Sequence, residues 1–453
     1  LNKISRAAIN HNGPSGQEFF SHYQAIVNSN GKAYFNYEYE TQAIDFINKY
    51  DNGILNINNN NSNEELKIIN ENFTEDEIQS SIDYLKRNKS PGIDCIPAEF
   101  IKGSNKHLAG HITMVLNYII ENRVWPDSWS EGLRSSIFKA GDRESADNYR
   151  GITVLPIFEK IFETAIYKRL VFVNEAFDEI DRFNGGFLNN SRTSDNLFIL
   201  NGIIQRQLLL GKPLYICFVD FSKAFDLVNR NILFYKLMKN GWHGRVIDTL
   251  RNLYSKTKIR VKSNGKMSPP IFNSLGVNQG GVASGLLFRK YISDLYEYLC
   301  AEVGVCLGTV IMLYLLWADD LVLIACPALG LQRQLDGLKS FSAHNQTIVN
   351  EIKTKCMAIG NCEPFTVYFD GKLIEQVPSY KYVGNVTRSI RRRNEDLFRE
   401  NYEYLCDQAR KATFSAMKKM KNISNVPPRI MFYIFETLIK PILTYGSDVW
   451  GLS

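Results

Sequence analysis

"LYLLWADDLVLIAC" (residues 313–326) is apolar throughout except for Asp319 and Asp320. The run is too continuous for a strand that alternates between core and solvent. It predicts two short buried strands joined at Ala318–Asp320, with both acids at the turn. Adjacent carboxylates in such surroundings cost on the order of several kcal/mol unless something compensates them. An Asp-Asp turn alone is equally consistent with a solvated loop, so the pair takes its meaning from the rest of the chain.

A third acid stands in a similar place. "GKPLYICFVDFSKAFDLVNR" (211–230) reads as a short buried strand running into a helix, and Asp220 closes the strand. If this strand neighbours the 313–326 hairpin in one sheet, three carboxylates converge, and a hard divalent cation would relieve their repulsion. Magnesium prefers oxygen donors, keeps several waters and takes one or two carboxylates plus substrate phosphates. Two such ions would clamp an in-line phosphoryl transfer.

The rest of the sequence frames that chemistry. With 453 residues, 45% hydrophobic and 22% charged, the chain has length for two or three packed subdomains. No apolar run reaches transmembrane length and no secretory signal opens the sequence, so no membrane partner is expected. The eight cysteines form no CxxC pair and several lie in apolar runs, which predicts reduced intracellular thiols rather than disulfides or zinc. From Arg388 to Ser453 there are twelve Lys/Arg against seven Asp/Glu, so nearly all of the +6 net charge sits in the last 66 residues. That asymmetry fits a phosphate-backbone contact or a solvated helix face. "NINNNNSN" (56–63) reads as a linker. Thr74 with Glu77 makes a capping box before a helix that "KSPGID" (89–94) ends. Helices are expected over 107–125, 156–173 and 331–344 and mainly from 390 onward. A glycine-rich turn and a helix buried through Leu287, Tyr291, Leu295 and Tyr298 are expected over 276–299, and a hairpin over 365–374. His107 and His111, four apart on a helix, lack a third ligand with matching spacing.

Stretches from about Phe73 to Trp450 resemble, in order, the reverse transcriptase of non-LTR (LINE-type) retrotransposons. They are "KSPGIDCIPAEFIK" (89–102), "IFKAGDRESADNYRGITVLPIFEKIFETAIYKRL" (137–170), "FNGGFLNNSRTSDNLFIL" (183–200), "FVDFSKAFDLVNR" (218–230), "GVNQGGVASGLLFRKYISDL" (276–295), "WADDLVL" (317–323), "VNEIKTKCM" (349–357), "YKYVGN" (380–385) and "PILTYGSDVWG" (441–451). The resemblance implies that Asp220, Asp319 and Asp320 are the catalytic acids and the ligands of two Mg2+ ions, with Mn2+ as the alternative ion. It places Phe221 and Phe225 at the nucleotide, the Phe225 ring excluding a 2′-hydroxyl. Gln279 and Gly280, with Gly281, would hold the incoming nucleotide and template. Lys139 and Arg150 would grip the triphosphate. Lys353 or Lys355 would protonate the departing pyrophosphate, and Arg192 would follow the template backbone.

Four positions depart from the pattern. Trp317 replaces the usual Tyr or Phe, Asn278 a basic residue and Arg289 an Asn. Gly285 stands where Pro usually opens the helix, at a cost of ~1 kcal/mol. The resemblance implies an α+β right-hand polymerase. An N-terminal extension with an Asn-rich linker would occupy 1–70. Fingers and a palm of antiparallel sheet backed by helices would fill 71–385, and a helical thumb, cut short, 386–453. Its implied reaction is RNA-templated addition of deoxynucleotides to a DNA 3′-hydroxyl during retrotransposition. RNA template, DNA primer and dNTPs are the partners, and the site of action is intracellular and nuclear. The chain is expected to be a fragment, with the target-nicking endonuclease encoded elsewhere in the same reading frame. The rival readings are a catalytically decayed nucleic-acid-binding remnant and an RNA-dependent RNA polymerase.

Overall fold

The computed structural model describes residues 13–28, 31–55, 67–104, 107–177, 183–188, 191–263, 265–392, 395–420 and 426–451. The Asn-rich tract at 56–63 lies outside them. The elements that position the site are, in chain order, α1 (Gly16–Val27), α2 (Tyr37–Asp51), β1 (Glu131–Phe138), β2 (Tyr149–Val154), α3 (Ile157–Phe177), β3 (Leu214–Asp220), β4 (Lys258–Ser263), α4 (Ser284–Ile292), β5 (Tyr314–Trp317), β6 (Asp320–Ala325), β7 (Lys355–Ile359) and α5 (Arg399–Met420). They fall into two compact units.

The first unit comprises 1–180, 223–292 and 344–347. Its sheet places β1 antiparallel to β2 and parallel to β4. Helix α1 starts at a capping box formed by Ser15 and Glu18. It buries Phe19, Tyr23 and Ile26 against Ile259, Val261 and Ile271 of the sheet. Helix α2 is tied down by Glu40, whose carboxylate accepts from the Asn229 amide at 2.7 Å. Helix α3 buries Ile161, Phe162, Ala165, Ile166 and Leu170 at helical spacing. It also buries Glu159 and Glu163. The expected Thr74–Glu77 capping box is present, and Arg169 grips the same Glu77 carboxylate at 2.7 Å.

The second unit comprises 181–222, 293–343 and 348–453. Its sheet runs Glu375–Gln376, β7, β3, β6, β5, antiparallel except where Glu375–Gln376 meets β7. Leu214 through Val219 are all buried, so β3 is covered on both faces, which explains its unbroken apolar sequence. One face packs Ile216, Phe218, Val322 and Ile324 on Leu197, Leu200, Ile203 and Ile204 of the helix Thr193–Leu209.

Some expectations need correction. After β3 the chain turns for nine residues, and the helix begins only at Arg230, capped by the Asn229 side chain. The helix expected to the end of 276–299 is interrupted at Ser293–Asp294, which separates α4 from a one-turn helix at Leu295–Tyr298. Phe398, Phe414 and Met417 stand at helical spacing, which suggests one packed face; Phe398 is buried, but Phe414 and Met417 of α5 are 70% and 53% exposed. The packed positions of α5 are Asn401, Leu405 and Ala409. Among the described residues no helix is long and apolar enough to cross a membrane.

Candidate active site

The 313–326 stretch is a hairpin. Trp317 pairs with Asp320, and Ala318 takes the left-handed backbone (φ +59°) that a two-residue turn demands. The other edge of β6 pairs with β3 in a register that sets Asp320 opposite Asp220. Residues opposite one another in an antiparallel pair share a face, with Cα atoms about 4.5–5.5 Å apart. Two carboxylates therefore face each other at the sheet's end, and Asp319 stands beside them in the turn. The Asp220 backbone is fixed at both ends. Its N–H donates to Thr354 Oγ1 at 3.2 Å, and its carbonyl accepts from Asn350 N at 2.8 Å.

Two glycines brace the acid turn from below. A Cβ on Gly186 would lie 2.3 Å from Ala318 N, and one on Gly185 would lie 2.9 Å from the Trp317 ring. Only a bare backbone fits there. The Gly-Gly pair was visible in sequence, but nothing local told which backbone it would approach. Tyr380 is a second neighbour that sequence left without a role. Its ring stacks on Phe218 at 4.3 Å. Burial, and then the charges of Asp220 and Asp320, push its phenol up to about 12, so it stays a neutral hydroxyl.

The donor set tests the metal reading. Among the described residues no group of three or more His, Cys, Asp or Glu closes on one point. The acids instead offer carboxylates from opposed strand positions, the hard oxygen set that suits magnesium when substrate phosphates and water complete the shell. His111 belongs to no such group, and the His107 side chain lies outside the described residues.

The nucleotide-contact candidates, apart from Phe221, belong to the first unit. Ile137 of β1 pairs with Arg150 of β2, and Lys139 N–H donates to the Asn148 carbonyl, continuing the ladder. Lys139 and Arg150 thus lie diagonally on one exposed face of a hairpin. The same β2 holds the glycine turn, because Thr153 N–H donates to the Gln279 carbonyl at 2.8 Å. Gly280 has φ +133°, and a Cβ there would meet the Thr153 carbonyl at 2.3 Å. The segment just before is tied to Phe225, whose carbonyl accepts from Val277 N at 2.9 Å. The Phe225 ring is half-buried and stacks on Phe288 at 4.6 Å. Four of the sequence candidates thus gather through β2 and the 276–281 turn, with Phe225 joined to the turn. A cavity of about 600 Å³ opens beside Gly280, lined among others by Tyr84, Lys86, Lys89, Lys160 and Tyr167.

The remaining candidates belong to the second unit. Phe221 is 8% exposed and its backbone bridges Val349. Lys355 pairs with Glu375 at 2.5 Å, whereas Lys353 is exposed. Arg192 is exposed at the start of the helix Thr193–Leu209. Two of the departures from the family pattern are accommodated by packing: Trp317 against Gly185, and Asn278 through a 3.4 Å contact with Glu159.

The family described as reverse transcriptase (RNA-dependent DNA polymerase) matches residues 137–387, over half of the chain. The chain is 23% identical over 393 residues to the RNA-directed DNA polymerase from mobile element jockey of Drosophila funebris, covering 84% of this chain and 42% of that one. It is 25% identical over 296 residues to the 149 kDa protein of transposon TX1 of Xenopus laevis, covering 64% of this chain and 22% of that protein. The chain thus spans less than half the length of these relatives. The structure of apo telomerase from Candida tropicalis aligns over 63% of this chain and 59% of its own, with 14% identity and a TM-score of 0.41.

Proposed function

Since this chain belongs to the reverse transcriptase (RNA-dependent DNA polymerase) family, we propose that it adds deoxynucleotides to a DNA 3′-hydroxyl on an RNA template, in retrotransposition. The observation that carries the reading is the register that faces Asp320 with Asp220 beside the Asp319 turn. The family's α+β right-hand architecture frames it, with fingers and palm assigned to 71–385 and the thumb to 386–453.

Asp220, Asp319 and Asp320 are the residues that would hold magnesium, which when bound screens the triphosphate and favours an ionised primer hydroxyl. Lys139 and Arg150 present their charges from the exposed face of one hairpin, placed to bind a triphosphate. Gln279 and Gly280 supply the turn for the incoming nucleotide, and Phe221 and Phe225 complete the assigned contacts, with Phe225 blocking a 2′-hydroxyl. Lys353 is the better candidate for protonating pyrophosphate, because Lys355 already has Glu375 as partner. Nicking of the target DNA is assigned to an endonuclease encoded elsewhere in the reading frame, and the place of action to the nucleus.

Primer extension on a primed RNA template tests the whole reading. Magnesium-dependent incorporation of dNTPs in preference to rNTPs is expected. Incorporation of rNTPs would point to an RNA polymerase, and binding without extension to a decayed remnant.

A further inference from the structure

The glycine turn rests on two buried acids that neither the metal reading nor the triphosphate grip uses. Glu163 is 0% exposed. Its Oε2 accepts from Val282 N at 2.7 Å, and it also receives the Ala283 amide. These two amides lie between the turn and the start of α4, so the carboxylate holds backbone donors that the helix itself leaves unsatisfied. The fit admits nothing larger, since a Cβ on Gly281 would sit 2.7 Å from the same Oε2. Glu159, one helical turn earlier on α3 and 1% exposed, contacts Asn278 Nδ2 at 3.4 Å. Asn278 in turn accepts from Gly281 N through its carbonyl at 2.8 Å. With Thr153 holding the Gln279 carbonyl on the other side, the whole 278–283 segment is clamped between β2 and α3.

We propose that Glu163 is a positioning residue of the glycine turn: by holding the Val282 and Ala283 amides it sets the place of Gln279 and Gly280 and thereby the affinity for the incoming deoxynucleotide. Burying a carboxylate is costly, and a hold on two amides next to a ligand-contacting turn gives that cost a function. The inference rests on the reading of Gln279–Gly280 as the nucleotide turn.

The test is a comparison of Glu163→Gln and Gln279→Ala with the parent full-length chain. Steady-state primer extension gives KM for dNTP and kcat, and amide hydrogen exchange is followed at Val282 and Ala283. Template–primer binding and the thermal midpoint check that each variant is folded. Glu163→Gln is expected to raise KM for dNTP about tenfold, to leave kcat within about twofold, and to speed exchange at both amides. A neutral carboxamide oxygen accepts more weakly than a carboxylate, so the hold on these amides loosens. Unchanged exchange at Val282 and Ala283 would overturn the positioning role whatever the turn binds. Faster exchange with an unchanged KM for dNTP would overturn the link to nucleotide affinity. If Gln279→Ala also leaves KM unchanged, it is the reading of the turn that fails. Should Glu163→Gln fail the folding checks, Glu163→Asp, which keeps the charge but draws it back by one methylene, carries the same expectations.

Discussion

Replacing Glu159 by Gln should stabilise the first unit at neutral pH, and the gain should grow as pH rises. Glu159 and Glu163 are both buried on α3. Burial, and then the charge of Glu163, hold the Glu159 carboxyl well above the ordinary carboxylate range. Burial pushes Glu163 up to about 7, against the lowering pull of the Val282 and Ala283 amides. The folded chain therefore keeps protons that the unfolded chain, with carboxyls near 4.5, has released. Stability from this source is complete below about pH 4.5 and is lost as pH rises through about 7. For Glu163 alone the rise from 4.5 to about 7 corresponds to about 3 kcal/mol. At about 2–4 °C per kcal/mol, the midpoint should fall by about 6–12 °C. Glu159→Gln keeps the side-chain shape and an oxygen for Asn278, and it removes one of the two charges that burial penalises. The assay is thermal unfolding from pH 5 to pH 9 at constant ionic strength. The parent midpoint should fall across the range, and the variant should fall less and lie above the parent at pH 8. A flat parent curve, or a variant less stable than the parent at pH 8, would refute the reasoning.

Asp319→Asn should lower kcat for primer extension by about a thousandfold or more, equivalent to roughly 4 kcal/mol, while template–primer binding changes less than twofold. Equal residual activity in variant and parent would remove Asp319 from the proposed chemistry. Phe225→Val should admit ribonucleotides with extension retained, read as the ratio of kcat/KM for dNTP over rNTP. An unchanged ratio would leave Phe225 as no more than the stacking partner of Phe288. Replacing Arg391, Arg392 and Arg393 together by Ala should weaken template–primer binding equally across template sequences. It should also flatten the salt dependence, by about 0.9 in log–log slope for each phosphate that is no longer neutralised. Anisotropy titrations over a salt series decide this, and an unchanged slope would make these arginines solvated surface.

How much was legible in the sequence follows from the range of the forces involved. The strand–turn–strand of 313–326, the capping box at Thr74–Glu77 and the buried strand closing at Asp220 are local patterns. They depend on side-chain period and on groups three or four residues apart, so the sequence by itself determined them. The ordered stretches that resemble reverse transcriptases also pointed to the three acids and to the residues assigned to the nucleotide. Only the tertiary structure decided the register that puts Asp320 opposite Asp220, because a slip of one residue would turn every side chain of β6 to the other face. It also decided that Gly185 and Gly186 lie under Ala318, that Gly280 abuts the Thr153 carbonyl, and that Glu163 caps the turn before α4. These pairs are distant in the chain. A glycine or a glutamate carries no local mark of which remote backbone it will meet. The same limit explains the misread face of α5. Phe414 and Met417 have the helical spacing of a core stripe, but spacing cannot say whether a partner surface stands opposite.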